Sequence, residues 1–169
     1  MSGPPERLRI VDADASDLPA MVAIYNEVLA SSSAIFSDQP VTAAEMSARL
    51  DARRASGLPT IVAREAERVV GYASYGEFRP WPGYRSTVEH SVYVVAERRR
   101  GGVGRMLMVD LIRRARRAGL HAMIGAIDAE NTPSLILHEG LGFRRVGLLP
   151  EVARKFDRWL DLALLQLML

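Results

Sequence analysis

Ser91-Val92-Tyr93-Val94-Val95-Ala96-Glu97-Arg98-Arg99-Arg100-Gly101-Gly102-Val103-Gly104-Arg105-Met106-Leu107 reads as a strand, a basic glycine-rich turn and the opening of a helix. β-Branched and aromatic residues fit a pleated, half-buried strand. Glycine lets the main chain approach an anion closely, because no Cβ intervenes. Backbone N–H groups at a helix N-terminus attract phosphate. The stretch therefore predicts a docking place for a phosphorylated cofactor.

Upstream, the strand begins at about Thr87. Alternation puts Glu89, Ser91, Tyr93 and Val95 on one face, with Val88, His90, Val92 and Val94 on the other. Leu8-Arg9-Ile10-Val11 predicts a first strand. Asp14 opens a helix, with Asp17 in its first turn and Leu18, Met21, Val22, Tyr25, Val28 and Leu29 at helical spacing. Ser31-Ser32-Ser33 ends it, and a loop from Ala34 to Pro40 carries Phe36. Thr42 and Glu45 form a capping-box signature for a second helix to about Arg54, stopped by Gly57 and Pro59. Thr60 to Arg64 and Arg68 to Tyr75 read as a hairpin. Phe78-Arg79-Pro80-Trp81-Pro82-Gly83-Tyr84-Arg85 is a loop dense in proline, glycine and aromatics.

Downstream, a helix from about Gly102 to Arg117 ends at Gly119, a good C′ residue. His121 to Ile127 predicts a strand, 128–131 a turn, Pro133 to Glu139 a helix, and Phe143 to Leu149 a strand. Arg158 to Leu169 reads both ways: leucine favours helix, while partial alternation favours strand. No linker or repeat interrupts the chain. Early hairpins and a late βαβα order predict one α/β domain over residues 1–169, on a mixed sheet.

Composition narrows the function. The 169 residues are 49% apolar and 25% charged, as in ordinary globular domains. Lys+Arg 22 against Asp+Glu 20 gives a net charge of only +2, so the pI of about 9.3 overstates the basicity. A general polyanion binder carries a clearer excess. With no cysteine, disulfides, thiolate metal sites and a Cys nucleophile are excluded. His90, His121 and His138 form no spaced ligand motif, so no metal is expected. Met1 to Glu6 lacks an apolar targeting core and no long uncharged apolar run follows, which predicts a soluble, cytoplasmic protein without membrane contact.

Three glycine loops compete for the turn. A dinucleotide fingerprint fails because Leu107 stands where the third glycine belongs, and no G-x-x-x-x-G-K-[ST] run exists. The third pattern, R/Q-x-x-G-x-G/A, is met by Arg99-Arg100-Gly101-Gly102-Val103-Gly104. Here the chain resembles the GNAT acetyltransferases (GCN5-related N-acetyltransferases), which use that turn for the pyrophosphate of acetyl-CoA. The competing reading is a solvated basic turn. The family order continues with the strand to Ile127, Asn131, His138 seven residues on, and Gly142-Phe143.

Smaller pieces sharpen the likeness. Tyr72-Ala73-Ser74-Tyr75-Gly76, Gly83-Tyr84-Arg85, Thr87-Val88-Glu89-His90-Ser91-Val92-Tyr93-Val94 and Lys155-Phe156-Asp157-Arg158-Trp159-Leu160-Asp161 resemble the phosphinothricin and methionine sulfoximine L-amino-acid N-acetyltransferase subgroup. The resemblance implies a GNAT fold: a mixed, mostly antiparallel central sheet with flanking helices and a splayed central strand pair. It also implies a C-terminal strand and a homodimer. Two departures stand out. Many relatives have a proline soon after the central strand, where this chain has Ala96-Glu97. Several in the wider family have a tyrosine at the position of His138, although this subgroup typically has histidine.

Acetyl transfer to an amine needs a held cofactor, a polarised carbonyl, a deprotonated nucleophile and a stabilised leaving thiolate. Holding falls to Arg99, Arg100, Gly101, Gly102, Val103, Gly104 and Arg105, through backbone N–H groups, the helix dipole and charge-assisted arginine bonds. Val92, Tyr93 and Val94 offer main-chain groups to the pantetheine. By the resemblance, one of their N–H groups polarises the carbonyl, an oxyanion-hole role worth roughly 3–4 kcal/mol. Asn131 is placed to bond the pantetheine. Glu89 is the candidate base, acting directly or through a water; a salt bridge to an arginine is its competing reading. His138 is the candidate acid or orienting group near the sulfur, against a plain helix-surface histidine. His90 is read as structural.

Phe36, Arg79, Pro82, Gly83 and Tyr84 are the candidate substrate contacts, with Trp81 and Arg85 in the same loop. An arginine there suits an amino-acid carboxylate; ordinary loop packing is the alternative for the aromatics. Lys155, Phe156 and Trp159 border the pocket, across a dimer interface, or pack in the core or an interface. The expected activity is acetyl-CoA-dependent N-acetylation of a small L-amino acid or analogue: methionine sulfoximine, methionine sulfone or phosphinothricin. No acyl-enzyme is expected. The rivals are acetylation of a protein N-terminus, polyamine or aminoglycoside, and a non-catalytic acetyl-CoA sensor or nucleic-acid adaptor. Two arginines in the loop over 78–85 disfavour a polycationic substrate. Arg113, Arg114, Arg116 and Arg117 lack interleaved aromatics for stacking nucleic acid.

Overall fold

The computed structural model describes residues 8–169. The reading of Met1 to Glu6 lies outside the described residues. Among these residues seven strands form one sheet: β1 (Arg9–Asp12), β2 (Thr60–Glu65), β3 (Arg68–Glu77), β4 (Thr87–Val94), β5 (Ala122–Asp128), β6 (Arg144–Lys155) and β7 (Arg158–Met168). Their order is β1-β2-β3-β4-β5-β7-β6. Every adjacent pair is antiparallel except β4 with β5, which is parallel. That parallel pairing covers only Thr87↔Ala122, Val88↔Met123 and Glu89↔Ile124. Beyond it the strands part, so the mixed sheet and the splayed pair expected from the resemblance are both present.

Among the described residues four α-helices cover the sheet: α1 (Leu18–Ser31), α2 (Ala43–Ala55), α3 (Val103–Arg117) and α4 (Thr132–Glu139). Asp14 and Asp17 form a capping box at a short 3-10 turn that leads into α1, and Thr42 with Glu45 forms another at α2. Buried Asp17 also receives the Arg64 guanidinium at 2.8 Å, which fixes the start of α1 against β2.

Both faces of the central strands are covered, and alternate side chains go to different layers. Ile61, Ala63, Val70 and Ala73 pack with Leu107, Met108 and Leu111 of α3. Val62, Val69 and Tyr72 pack with Met21, Ile24 and Val28 of α1 and with Met46 and Leu50 of α2. Each fully buried leucine or methionine contributes roughly 1.5–3 kcal/mol.

The C-terminal stretch is strand β7, hydrogen-bonded between β5 and β6. β6 runs further than the sequence reading placed it, to Lys155. Its ladder breaks between Leu149 and Ala153, where Pro150 sits, as an edge strand tolerates. At its end Lys155 is buried, and its Nζ donates to the carbonyls of Leu29, Ser32 and Ile35 at 2.7, 2.7 and 2.8 Å. This ties the loop bearing Phe36 to the β6–β7 hairpin.

Gly71 tests the packing of the central strands. A Cβ there would stand 2.8 Å from the Tyr93 carbonyl oxygen and 3.2 Å from Leu107 Cδ1. Gly71→Ala is expected to cost about 1–3 kcal/mol, read as a melting temperature lowered by several degrees in calorimetry.

Candidate active site

The site is built at the fork between β4 and β5. Val95 N donates to Val70 O, and Thr87 O accepts from Phe78 N. Odd-numbered residues of β4 thus address β3, and even-numbered ones address β5. Past Glu89 there is no β5 ladder to receive them. Val92 and Val94 therefore direct main-chain groups into the fork, while Tyr93 directs its own to β3. The Val94 carbonyl accepts Arg99 Nε at 3.0 Å. Unpaired main-chain groups along an open strand are a ready bonding edge for a linear polar ligand.

The end of the fork is the turn into α3. Arg100 and Gly102 both take the left-handed conformation, at φ 62° and 83°. Gly102 is the N-cap and offers no side chain, unlike Thr42 and Asn131 at their helices. The first N–H groups of α3 lack intrahelical acceptors. They are therefore available to an anion, and the residues fit a pyrophosphate there. Arginines around the turn have separate partners. Arg98 pairs with Glu65, Arg99 donates to both carboxylate oxygens of Glu27 at 3.1 and 3.0 Å, and Arg105 reaches the Gly140 carbonyl at 3.3 Å. Asn131 caps α4, its Oδ1 accepting from Ser134 N at 3.3 Å, which leaves its Nδ2 donor for a ligand.

On one face of the fork stands Glu89. Burial raises its carboxyl pKa above the ordinary carboxylate value, and Arg79 partly opposes this by charge. The Arg79 guanidinium itself lies 4.6 Å over the Phe78 ring. Pro82, Gly83 and Tyr84 form an exposed 3-10 turn, with Tyr84 edge-on to Phe78 at 5.7 Å. Phe36 is half-buried in the loop that Lys155 holds.

On the opposite face His90 and His138 stack, with ring centroids 4.9 Å apart, and Phe143 meets both edge-on. His138 is not on the helix surface: it is 1% exposed. Its Nδ1 lies 2.6 Å from the Ser134 carbonyl, so Nδ1 carries the proton and donates. Its Nε2 is then an acceptor, and His90 Nε2, at 3.2 Å, must be the donor. His90 Nδ1 is left bare and without a partner. A Cβ on Gly125 of β5 would sit 3.0 Å from His90 Nε2. The imidazole pair therefore fills space that only glycine leaves open between the diverging strands.

Residues 21–143 match the acetyltransferase (GNAT) family. The chain belongs to the GNAT acetyltransferase family. This acetyltransferase is 48% identical to the L-methionine sulfoximine/L-methionine sulfone acetyltransferase of Pseudomonas aeruginosa over 159 residues, 94% of this chain and 92% of the relative. It superposes on a putative acetyltransferase from Salmonella typhimurium, solved with its cofactor acetyl-CoA, with a TM-score of 0.93 and 42% identity, covering 95% and 93% of the two chains. A phosphinothricin acetyltransferase from Sinorhizobium meliloti, in complex with acetyl-CoA, gives a TM-score of 0.93 at 36% identity, covering 96% of this chain and 88% of that one. The acetyltransferase is thus an acetyl-transferring enzyme with acetyl-CoA as its co-substrate.

Some neighbours of the fork escaped the sequence reading. Arg53 of this acetyltransferase donates to the Tyr75 carbonyl at 2.8 Å and stands over Gly76, the cross-strand partner of Glu89. Buried Asp128 accepts from Ser33 Oγ at the far end of β5. The only trace of Arg53 in the sequence is an arginine at 49 and another at 53, bordering the Met46–Leu50 stripe of α2.

Burial, then His138, pushes the His90 pKa down to about 3; burial lowers His138 also. An unfolded histidine titrates near 6.5, so the folded pKa lies below the unfolded one. Stability is full above pH 6.5 and falls as pH drops toward 3, by up to about 1.4 kcal/mol per pH unit for each such group. His90→Gln keeps a donor for His138 Nε2 and removes one titration. Thermal unfolding from pH 7.5 to 4 is expected to show a shallower acid slope in the variant than in the wild type.

Proposed function

We propose that this enzyme acetylates the α-amine of a small L-amino acid or analogue, with methionine sulfoximine, methionine sulfone and phosphinothricin as the leading acceptors. The amine attacks directly in a ternary complex. The observation that carries this reading is the fork, which sets a carboxylate on one face at the point where β4 leaves β5. The names of the relatives support the acceptor class. Bound acetyl-CoA supplies the activated thioester.

In this reading the turn from Arg99 to Arg105 holds the pyrophosphate through its main-chain N–H groups. Val92 and Val94 bond along the pantetheine and polarise the carbonyl, with Tyr93 between them, and Asn131 adds its amide. Glu89 takes the proton from the substrate ammonium, directly or through a water. A raised pKa brings it nearer the working pH, as general-base catalysis favours. Arg79 binds the substrate carboxylate, flanked by Phe36, Pro82, Gly83 and Tyr84. His138 acts at the sulfur end. With its Nε2 accepting from His90, it serves as an orienting group there. We also read the enzyme as a cytoplasmic homodimer. The exposed apolar side chains of Val146, Leu148, Val152 and Trp159 on the β6–β7 hairpin support that assembly. No helix among the described residues is long and apolar enough to cross a membrane.

Glu89→Gln is expected to lower kcat by about 10²–10⁴-fold and to leave acetyl-CoA affinity nearly unchanged. Thiol release and calorimetry measure the two. In the wild type, kcat/KM should rise with pH through a pKa above 4.5, and this limb should vanish in the variant; unchanged turnover at neutral pH would remove Glu89 from the mechanism. Gly102→Asp brings a negative charge and a Cβ to a left-handed position. Acetyl-CoA binding should weaken by tenfold or more, on the order of 1.4 kcal/mol. Unaltered affinity by calorimetry would move the pyrophosphate elsewhere.

A further inference from the structure

The face of the sheet that carries Glu89 also holds a chamber that none of the roles above uses. It has a volume of about 160 Å³ and lies between α1, α2 and strands β2 to β4. Arg49, Arg53, Thr60, Tyr25, Tyr72 and Tyr93 are among its polar lining, with Ser74 and Ser91. No aspartate or glutamate lines it.

Three observations point to what it receives. The first is charge. Arg53 is half-buried and donates one hydrogen bond, to the Tyr75 carbonyl, while the Arg49 guanidinium lies 5.4 Å over the Tyr25 ring. Burial lowers the proton affinity of Arg53. A guanidinium withdrawn from water without a counter-anion is costly, and an oxygen-rich guest offsets that cost. The second is the Thr60 hydroxyl. Thr60 is only 9% exposed, and its Oγ1 has no hydrogen-bond partner. A buried hydroxyl left in that state favours a bound acceptor. The third is continuity with the reacting centre. Tyr93 lies on the Glu89 face of β4, four residues along. Arg53 NH1 sits 3.3 Å from where a Cβ on Gly76 would stand, and Gly76 is paired with Glu89.

The rings of Tyr25, Tyr72 and Tyr93 stiffen the wall, with centroids 5.7 Å apart for Tyr25–Tyr93 and 5.2 Å for Tyr72–Tyr93. Since one water needs about 10–15 Å³ by this measure, the space admits several heavy atoms. That suits the end of a side chain and is too small for a second cofactor.

We infer that this chamber is the specificity subsite for the oxygen-bearing end of the acceptor's side chain, a sulfone, phosphinate or carboxylate held by Arg49, Arg53 and Thr60. This rests on the amino-acid acetylation proposed above. It leaves the α-carboxylate to Arg79 and places the amine between the two anchors, at Glu89. An apolar side chain such as that of methionine fills the same space without meeting the two arginines and the hydroxyl.

The test is a ratio. kcat/KM for methionine sulfone is divided by kcat/KM for methionine, in the wild type and in Arg49→Met, Thr60→Val and Arg53→Lys. Arg49 is exposed, so its variant spares the core; circular dichroism and melting temperature check all three. The ratio is expected to fall about tenfold in Arg49→Met and in Thr60→Val, with the same direction for phosphinothricin over methionine. A ratio equal to that of the wild type in all folded variants overturns the subsite. If the wild type acetylates no amine at all, the proposed function fails on its own. The chamber is then judged by calorimetry with phosphinothricin and acetyl-CoA present: weaker binding in Arg49→Met supports it, and binding equal to that of the wild type overturns it.

Discussion

Everything in the site depends on a sheet that stops pairing too early. β4 and β5 are hydrogen-bonded over three residues and then diverge. A sheet seldom leaves such an edge open, because buried main-chain groups need partners. Here side chains prop the edge apart. His90 and His138 stack over Gly125 on the side of α4, and Phe143 closes on both rings. The divergence is therefore a packed feature of the core. It leaves main-chain groups of β4 without a β5 partner just past Glu89, and the proposed place of the thioester rests on that open edge.

Burial drives the titrations on the two faces in opposite directions on the pH scale. It raises Glu89 and lowers His90 and His138, and in each case it disfavours the charged form. A carboxyl moved upward is a better proton acceptor near neutrality. A pair of neutral imidazoles can pack like an aromatic cluster. Position also sorts the arginines. Arg98 and Arg99 are held by Glu65 and Glu27, so the proposed pyrophosphate site rests more on the main chain of the turn than on the local abundance of positive charge.

Much of this was legible in the sequence where the cause is local. The helix start at Asp14, the capping box at Thr42, the glycine turn before α3 and the two-faced alternation of β4 are all set by neighbours within a few residues. The C-terminal leucines were not decidable locally. β7 becomes a strand because β5 and β6 pair with it on both edges. The burial of His138 could not be read locally, and a plain helix-surface histidine stayed open as its alternative, because α4 is only eight residues long and its inner face is defined by a fork distant in sequence. Arg53 reaches across 22 residues to the Tyr75 carbonyl, and the side chain of Lys155 meets carbonyls more than a hundred residues away. Neither contact leaves a periodic trace.

That lysine has one more implication. The chain has 22 Lys and Arg residues together, and Lys155 is its single lysine. All three of its ammonium protons are committed to carbonyl oxygens in the interior. Among the described residues, the Lys and Arg side chains at the surface are thus all guanidinium groups, and guanidinium is a poor acyl acceptor at neutral pH. A catalyst that carries an activated acetyl group beside its own side chains offers no lysine amine to intercept it.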